Sequence, residues 1–202
     1  QMLVIYLLCV KISYLRDDIN KENYNKKIKN LRLLPDLINK MISSENKIQI
    51  ICNTFANAKG SMFLGRGYSY PIALEGALKL KELAYIHAEG YPAGELKHGP
   101  LALLGEDTPI IAVAMQDHTY SKLLSNIEEM SARKAPVITL CQKGDQHVPK
   151  ISDKYFEIPE IDPVLSPFPV AVFMQLLSYY IAHELGTDID KPRNLAKSVT
   201  VE

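Results

Sequence analysis

Short, uninterrupted apolar runs alternate with segments of helical periodicity from Ser61 onward. The runs Pro109 to Met115 and Pro136 to Cys141 are rich in Ile, Val and Ala without polar alternation, which is typical of strands buried on both faces. A long apolar helix then begins at Ser166 and continues to about Glu184. This alternation predicts an α/β fold, a three-layer sandwich whose parallel sheet is covered by helices on both faces.

The N-terminal part of the chain has a different character. The apolar run Met2 to Val10 is far shorter than the ~20 residues of a membrane span and predicts a packed helix. Residues 11–34 are polar and rich in Asn and Lys, which indicates a solvated connector. Two helices are predicted next, one starting at Pro35 and one capped by Ser44 and ending at Gly60. The predicted organisation is a helix of a preceding domain with a helical linker (1–43), an α/β domain (44–190) and a C-terminal tail (191–202).

Charge and cysteine content limit the possible partners and the compartment. The chain has 23 Lys and Arg residues against 23 Asp and Glu residues, and its pI is near 7.1. A neutral chain gains little from the field of a polyanion, so we expect neither nucleic-acid binding nor membrane binding. Three scattered cysteines are too few for a disulfide framework or a zinc site, which favours a reducing cytoplasm.

A glycine-bearing turn follows the first predicted strand, Met62 to Gly65. The turn contains Gly65 and Gly67, but Tyr70 occupies the position where the dinucleotide-binding fingerprint requires a third glycine. A strand, a glycine turn and a helix N-terminus could form an anion site with Arg66, or only a tight turn without a ligand. Both interpretations stay open at this point.

The helix after this turn carries Glu75, Lys79 and Glu82 on one face, since they are spaced i, i+4 and i+7. One interpretation is a solvated stripe whose surface ion pairs contribute ~0.3 kcal/mol each. The other is a functional site in which one of two carboxylates around an ammonium acts as a general base.

Further along the chain, His98 lies in a compact polar turn that could present an imidazole as acid or base. Glu95 precedes it by three residues, but no further ligand accompanies the pair, so no metal site is predicted.

The polar C-terminal tail contains a second candidate group. Such a terminus is usually frayed, yet Lys197 has a cationic neighbour, Arg193, that favours the neutral form of its amine. A neutral amine can attack a sugar carbonyl.

Several segments share their residue order with one enzyme family. They are Phe63 to Gly67, Tyr70 to Glu82, Ile86 to Glu89, Gly94 to Ala102 and Lys191 to Glu202. Together they resemble the second sugar-isomerase (SIS) domain of the glucosamine-6-phosphate synthase family, also called the isomerising glutamine:fructose-6-phosphate aminotransferases. The resemblance implies a flavodoxin-like SIS fold and a share in converting fructose 6-phosphate and glutamine-derived ammonia to glucosamine 6-phosphate, without a cofactor.

The resemblance also implies a role for each candidate residue. His98 would promote opening of the fructose 6-phosphate ring and would reach the site from the neighbouring subunit of a homodimer. Lys197 would capture the opened ketose at C2 as a Schiff base, which ammonia then replaces, and Glu82 would move a proton between C1 and C2. Glu75, Lys79 and Arg193 would balance charge and orient the tail, while Glu82, Ala196 and Lys197 would contact the sugar.

Two parts of the implied enzyme are not recognisable in the sequence: the glutaminase with its N-terminal cysteine, and the first sugar-isomerase domain with its phosphate-binding loop. We therefore expect this chain to fold but not to complete catalysis by itself. Two alternatives stay open, namely a non-catalytic sugar-phosphate-binding SIS module and another SIS enzyme such as a ketose/aldose isomerase or a deglycase. The lysine-bearing tail favours the synthase, because a sensor has no need of a Schiff base.

Overall fold

The computed structural model describes residues 1–193 and residue 195, and its centre is one parallel sheet. The strands, numbered along the chain, are β1 (Gly60–Gly65), β2 (His87–Pro92), β3 (Ile110–Ala114), β4 (Val137–Gln142) and β5 (Lys154–Ile158). Their order in the sheet is β2-β1-β3-β4-β5, and every neighbouring pair is parallel.

Helices cover this sheet and precede it. They are α1 (Met2–Leu15), α2 (Lys21–Leu31), α3 (Leu34–Ile42), α4 (Glu45–Cys52), α5 (Ser69–Ala84), α6 (Tyr120–Ser131), α7 (Val148–Ile151) and α8 (Pro167–Glu184). Two 3₁₀ segments, Ala93–His98 and Pro100–Leu103, connect β2 to β3.

Two apolar cores lie on opposite faces of the sheet. Successive side chains of a strand point to opposite faces. Ile111 and Val113 of β3 therefore join the core formed with α4, α5 and α8, whereas Ile110 and Ala112 join the core formed with α6 and α7. The prediction of a three-layer α/β sandwich is confirmed.

The direction of α5 determines which edge of the sheet its charged residues approach. The helix connects two parallel strands, β1 and β2, so it runs back from the carboxyl ends of the strands to their amino ends. The 3₁₀ segment Ala93–His98 follows β2 and begins at the carboxyl edge. The C-terminal end of α5 therefore lies at the amino edge of the sheet, whereas the segment Ala93–His98 begins at the carboxyl edge.

Strand β2 is an element that the sequence pattern did not predict. Its residues, His-Ala-Glu-Gly-Tyr-Pro, contain no apolar run. The strand is held instead by backbone pairing along the whole of β1, from Gly60 opposite His87 to Gly65 opposite Pro92. As an edge strand it needs only one hydrogen-bonded neighbour, and α5 packs against it.

The segment before the sheet is helical, as predicted for the linker. The solvated connector expected over residues 11–34 contains α2, which has no buried residue and is capped by Asn20, whose Oδ1 accepts from the N–H of Asn23 over 2.8 Å. The predicted helix at α1 exists, but Val10 is its one buried residue, so its predicted packing is not found within the described residues. Helix α4 ends at Cys52 rather than at Gly60, where β1 already begins.

Helix α8 combines length with high apolarity. The segment Pro163–Glu184 is long and apolar enough to cross a membrane by composition, yet 56% of its most apolar stretch is buried inside the protein. It packs on α3, α4 and α5. A helix that is apolar on all sides is typical of burial in a domain core, so the packing of α8 on three helices explains its high apolarity.

Candidate functional site

Helix α5 carries the charged residues expected from the sequence, and its apolar face positions them. Ile72 and Leu80 are buried in the core shared with the sheet and α8. Glu75, Lys79 and Glu82 lie on the helix surface with partly exposed side chains. We call these three residues the acidic row.

In the acidic row, one ammonium lies between two carboxylates. The Nζ atom of Lys79 is 2.7 Å from Oε2 of Glu82 and 3.7 Å from Oε1 of Glu75. The hydrogen bond to Glu82 raises the pKa of Lys79 above its ordinary value, burial opposes that rise, and both negative charges reinforce it. Lys79 therefore stays an ammonium at neutral pH and is not itself a nucleophile. Of its two ion-pair contacts, the one with Glu82 is the shorter.

The segment after α8 returns to the end of α5. The hydroxyl of Thr187 donates to the carbonyl of Leu83 over 2.7 Å. Further along, the N–H of Arg193 donates to the hydroxyl of Tyr85 over 2.8 Å, and the guanidinium lies 4.2 Å from the centre of the same ring. The start of the predicted tail is thus attached to α5 one helical turn beyond Glu82.

Two tail residues predicted for the site, Ala196 and Lys197, lie outside the described residues. Arg193 is the last predicted site residue that the structure places. Sequence reasoning missed its partner Tyr85, which ends α5 in a left-handed conformation with φ of 56°. A tyrosine after a helix is ordinarily a packing residue, so the sequence contained no signal for this contact.

The structure does not bring His98 to the acidic row of its own chain. His98 ends the 3₁₀ segment Ala93–His98, which we call the histidine turn. The turn packs on the face of the sheet covered by α6, opposite the face covered by α5. The His98 side chain is 73% exposed, and its Nε2 is 3.8 Å from Oε2 of Glu95.

The glycine-bearing turn after β1 forms a tight turn. Gly67 has a φ of +51°, and the N–H of Ser69 donates to the carbonyl of Arg66 over 2.9 Å. The Nε of Arg66 donates to Oδ1 of Asn126 on α6 over 3.3 Å. Since Arg66 is engaged with α6, the geometry favours the tight-turn interpretation over an anion site.

A cavity of about 710 Å³ lies away from all these residues. It is formed between α3 and the loops that follow β3, β4 and β5, with Asp36, Gln116 and Glu160 among its lining residues. The acidic row, in contrast, lies on an open helix surface. A closed site over that row therefore requires further protein surface, from the tail or from another part of a larger assembly.

The sequence profile of the SIS domain matches residues 54–185. This chain belongs to the SIS domain family. The SIS domain so defined contains every strand of the sheet and the whole of α5, α6 and α8. The segment that reaches Tyr85 with Arg193 follows the matched range.

A curated relative extends over the whole of the SIS domain and the flanking segments. The relative is named glutamine–fructose-6-phosphate aminotransferase [isomerizing], comes from Methanosarcina acetivorans, and is 48% identical over 202 residues, which is 100% of this chain. The chain spans about one third of the length of that relative, 33%. Relatives of the same name from other organisms are covered to a similar extent.

Solved structures share the fold. The C-terminal domain of glucosamine-fructose-6-phosphate aminotransferase from Francisella tularensis superposes with a TM-score of 0.84 at 37% identity, over 90% of this chain and 51% of that one. Tagatose-6-phosphate ketose/aldose isomerase from Escherichia coli superposes with a TM-score of 0.71 at 20% identity, over 79% of this chain and 45% of that one. At the lower identity the likeness concerns the fold alone.

Proposed function

We propose that this SIS domain belongs to an isomerising glutamine–fructose-6-phosphate aminotransferase, in which it helps convert fructose 6-phosphate and glutamine-derived ammonia to glucosamine 6-phosphate. The observation that carries the proposal is the arrival of the C-terminal segment at the end of the acidic row, in a chain 48% identical over its full length to a relative of that name. The acidic row supplies two carboxylates and a fixed ammonium, and Arg193, near the start of the tail, lies against Tyr85 at the end of the same helix.

The dimensions of the chain support contact between the tail and the acidic row. Tyr85 lies three residues after Glu82, which is ~4.5 Å along the helix axis. Lys197 follows Arg193 by four residues, and four residues span up to ~14 Å. The amine of Lys197 is therefore within reach of a sugar bound over Glu82. Lys79 is held as an ammonium and is unsuited to Schiff-base formation, which leaves the tail lysine for that role.

The proposed reaction uses three groups in turn. His98 assists proton transfer as the furanose ring of fructose 6-phosphate opens. The neutral amine of Lys197 adds to the C2 carbonyl and water leaves, which forms a Schiff base. Ammonia adds to the same carbon and displaces the lysine amine, and Glu82 then removes a proton from C1 and returns one to C2, so the ketimine becomes an aldose amine. Glu75, Lys79 and Arg193 balance charge around these steps, and Ala196 contacts the sugar.

We assign His98 to the site of a neighbouring subunit in a homodimer. In its own chain, His98 lies across the sheet from the acidic row and near the other edge. Its exposed side chain is available to a second copy of the chain. A two-fold symmetric dimer would give each subunit one imidazole from its partner.

The rest of the parent enzyme would provide the ammonia and the phosphate-binding loop. Because this chain spans 33% of the relative's length, the remainder has room for a glutaminase and a first SIS domain. We place the enzyme in the cytoplasm, in keeping with the three cysteines of this chain, which form no disulfide.

Borohydride trapping in the full-length parent enzyme tests the proposal. Reduction with fructose 6-phosphate present should attach the sugar covalently to the wild-type enzyme and to the Lys191→Ala control, which lacks a neighbouring lysine of the same tail. The Lys197→Ala variant should form no adduct, because the reducible imine cannot form. An adduct that persists in Lys197→Ala, or one absent from the wild-type enzyme, contradicts the proposed role of the tail.

A further inference from the structure

We infer that Glu129 is a positioning residue for His98, which it places through an ion pair with Lys97. This inference rests on the proposed function, since it concerns the histidine assigned to ring opening. The histidine turn is a 3₁₀ segment, whose regular hydrogen bonds run within the segment and do not join it to neighbouring elements. Its position therefore depends on side-chain contacts with neighbouring elements.

One contact holds the middle of the turn and another holds its start. Leu96 is 1% exposed and belongs to the core under α6. At the start of the turn, the guanidinium of Arg66 lies directly beside Gly94, because a Cβ atom at that glycine would be only 2.5 Å from Nη2 of Arg66. Any side chain at position 94 would displace the arginine or the turn.

The third contact lies immediately before the histidine. The Nζ of Lys97 is 2.7 Å from Oε1 of Glu129 on α6. The Glu129 side chain is 29% exposed, and its other oxygen, Oε2, is buried without a hydrogen-bond partner among the described residues. Lys97 is the cation that the structure pairs with this partly buried carboxylate, so a change of either partner removes the contact at this end of the turn.

Helix α6 provides both polar anchors from one face. Asn126 and Glu129 are three residues apart, so their side chains are neighbours on the helix surface. Asn126 accepts from Arg66, which lies against the first half of the turn, and Glu129 pairs with Lys97 at its end. The turn is thus held on both sides of Leu96, and the backbone that carries His98 is held through the adjacent anchored residue, Lys97.

The test compares two substrates in the full-length parent enzyme. Fructose 6-phosphate must open its ring, whereas its 5-deoxy analogue has no hydroxyl with which to close a furanose. We expect Glu129→Gln to lower kcat for fructose 6-phosphate by roughly 10- to 100-fold, as displacement of a catalytic group by about 1 Å does. Activity on the analogue should stay within about twofold of wild type. Glu128→Gln, an exposed neighbour on the same helix, should match wild type on both substrates.

Two further variants separate the possible failures. Lys97→Met removes the other partner of the ion pair and tests the same contact if Glu129→Gln does not fold, because the Lys97 side chain is 61% exposed. It should lower kcat for fructose 6-phosphate and leave activity on the 5-deoxy analogue near that of wild type. His98→Asn should lose activity on fructose 6-phosphate selectively. If His98→Asn shows this selectivity and the Glu129 and Lys97 variants do not, the positioning role is wrong. If His98→Asn affects both substrates equally, the ring-opening role in the proposed function is wrong.

Discussion

The close approach of α5 to the end of β1 makes Gly65→Ala a sharp test of the packing that positions the acidic row. A Cβ atom at Gly65 would lie 2.4 Å from both the carbonyl carbon and oxygen of Ser69, and 2.6 Å from the backbone nitrogen of Tyr70. Ordinary contacts begin at about 3.4 Å. All three atoms belong to the backbone of the first turn of α5, so no flexible side chain can move aside. The start of the helix must shift by about 1 Å.

The expected cost follows from this geometry. Overpacking a buried site costs about 1–3 kcal/mol, and a clash with helix backbone belongs at the upper end because the shift is transmitted to β2 and α8, on which α5 packs. A loss of about 3 kcal/mol in the free energy of unfolding should lower the melting temperature of this chain by roughly 6–12 °C.

Thermal unfolding followed by circular dichroism measures this difference directly. Gly105→Ala is the matched control, since its Cβ would meet only Oδ1 of Asp107 at 3.4 Å and should change stability by less than about 0.5 kcal/mol. If Gly65→Ala melts within about 2 °C of that control, the described approach of α5 to β1 is wrong.

Two further predictions concern a buried carboxylate and the origin of the imidazole. Burial raises the pKa of Asp145, but hydrogen bonds from Tyr120, over 2.5 Å, and from backbone N–H groups outweigh that effect and lower it below the usual range. Tyr120→Phe should therefore cost about 1–3 kcal/mol in urea unfolding at pH 7, while Tyr155→Phe, an exposed tyrosine, should cost almost nothing. A carboxyl with a lowered pKa stabilises the fold above its unfolded-state pKa, so the Tyr120→Phe deficit should shrink as the pH falls through the lowered pKa, and a deficit unchanged at pH 2 contradicts this account. In the parent enzyme, co-refolding the inactive His98→Ala and Lys197→Ala variants should restore about one quarter of wild-type activity, because half of the dimers are mixed and each has one intact site. No recovery would place both residues in one subunit.

Much of the sheet could be predicted from local patterns. The apolar runs of β3 and β4 are buried on both faces, so their composition alone indicated central strands. β2 could not be found in this way, because pairing with β1 rather than side-chain burial holds it in the sheet. The spacing of the acidic row was visible on the helix, but the shorter contact of Lys79 with Glu82 depends on side-chain conformation.

Helical and strand periodicity are properties of neighbouring residues, so the alternation of layers and the common face of the acidic row were already present in the linear chain. The contacts that surround the candidate site join residues far apart in sequence, such as Lys97 with Glu129 and Arg193 with Tyr85. The histidine turn packs with α6 on one face of the sheet, and α8 packs with α5 on the other, which brings each pair together. The same arrangement separates His98 from the carboxylates of its own subunit. Such contacts depend on the tertiary packing of whole helices and strands, and a local pattern of residues does not encode that packing.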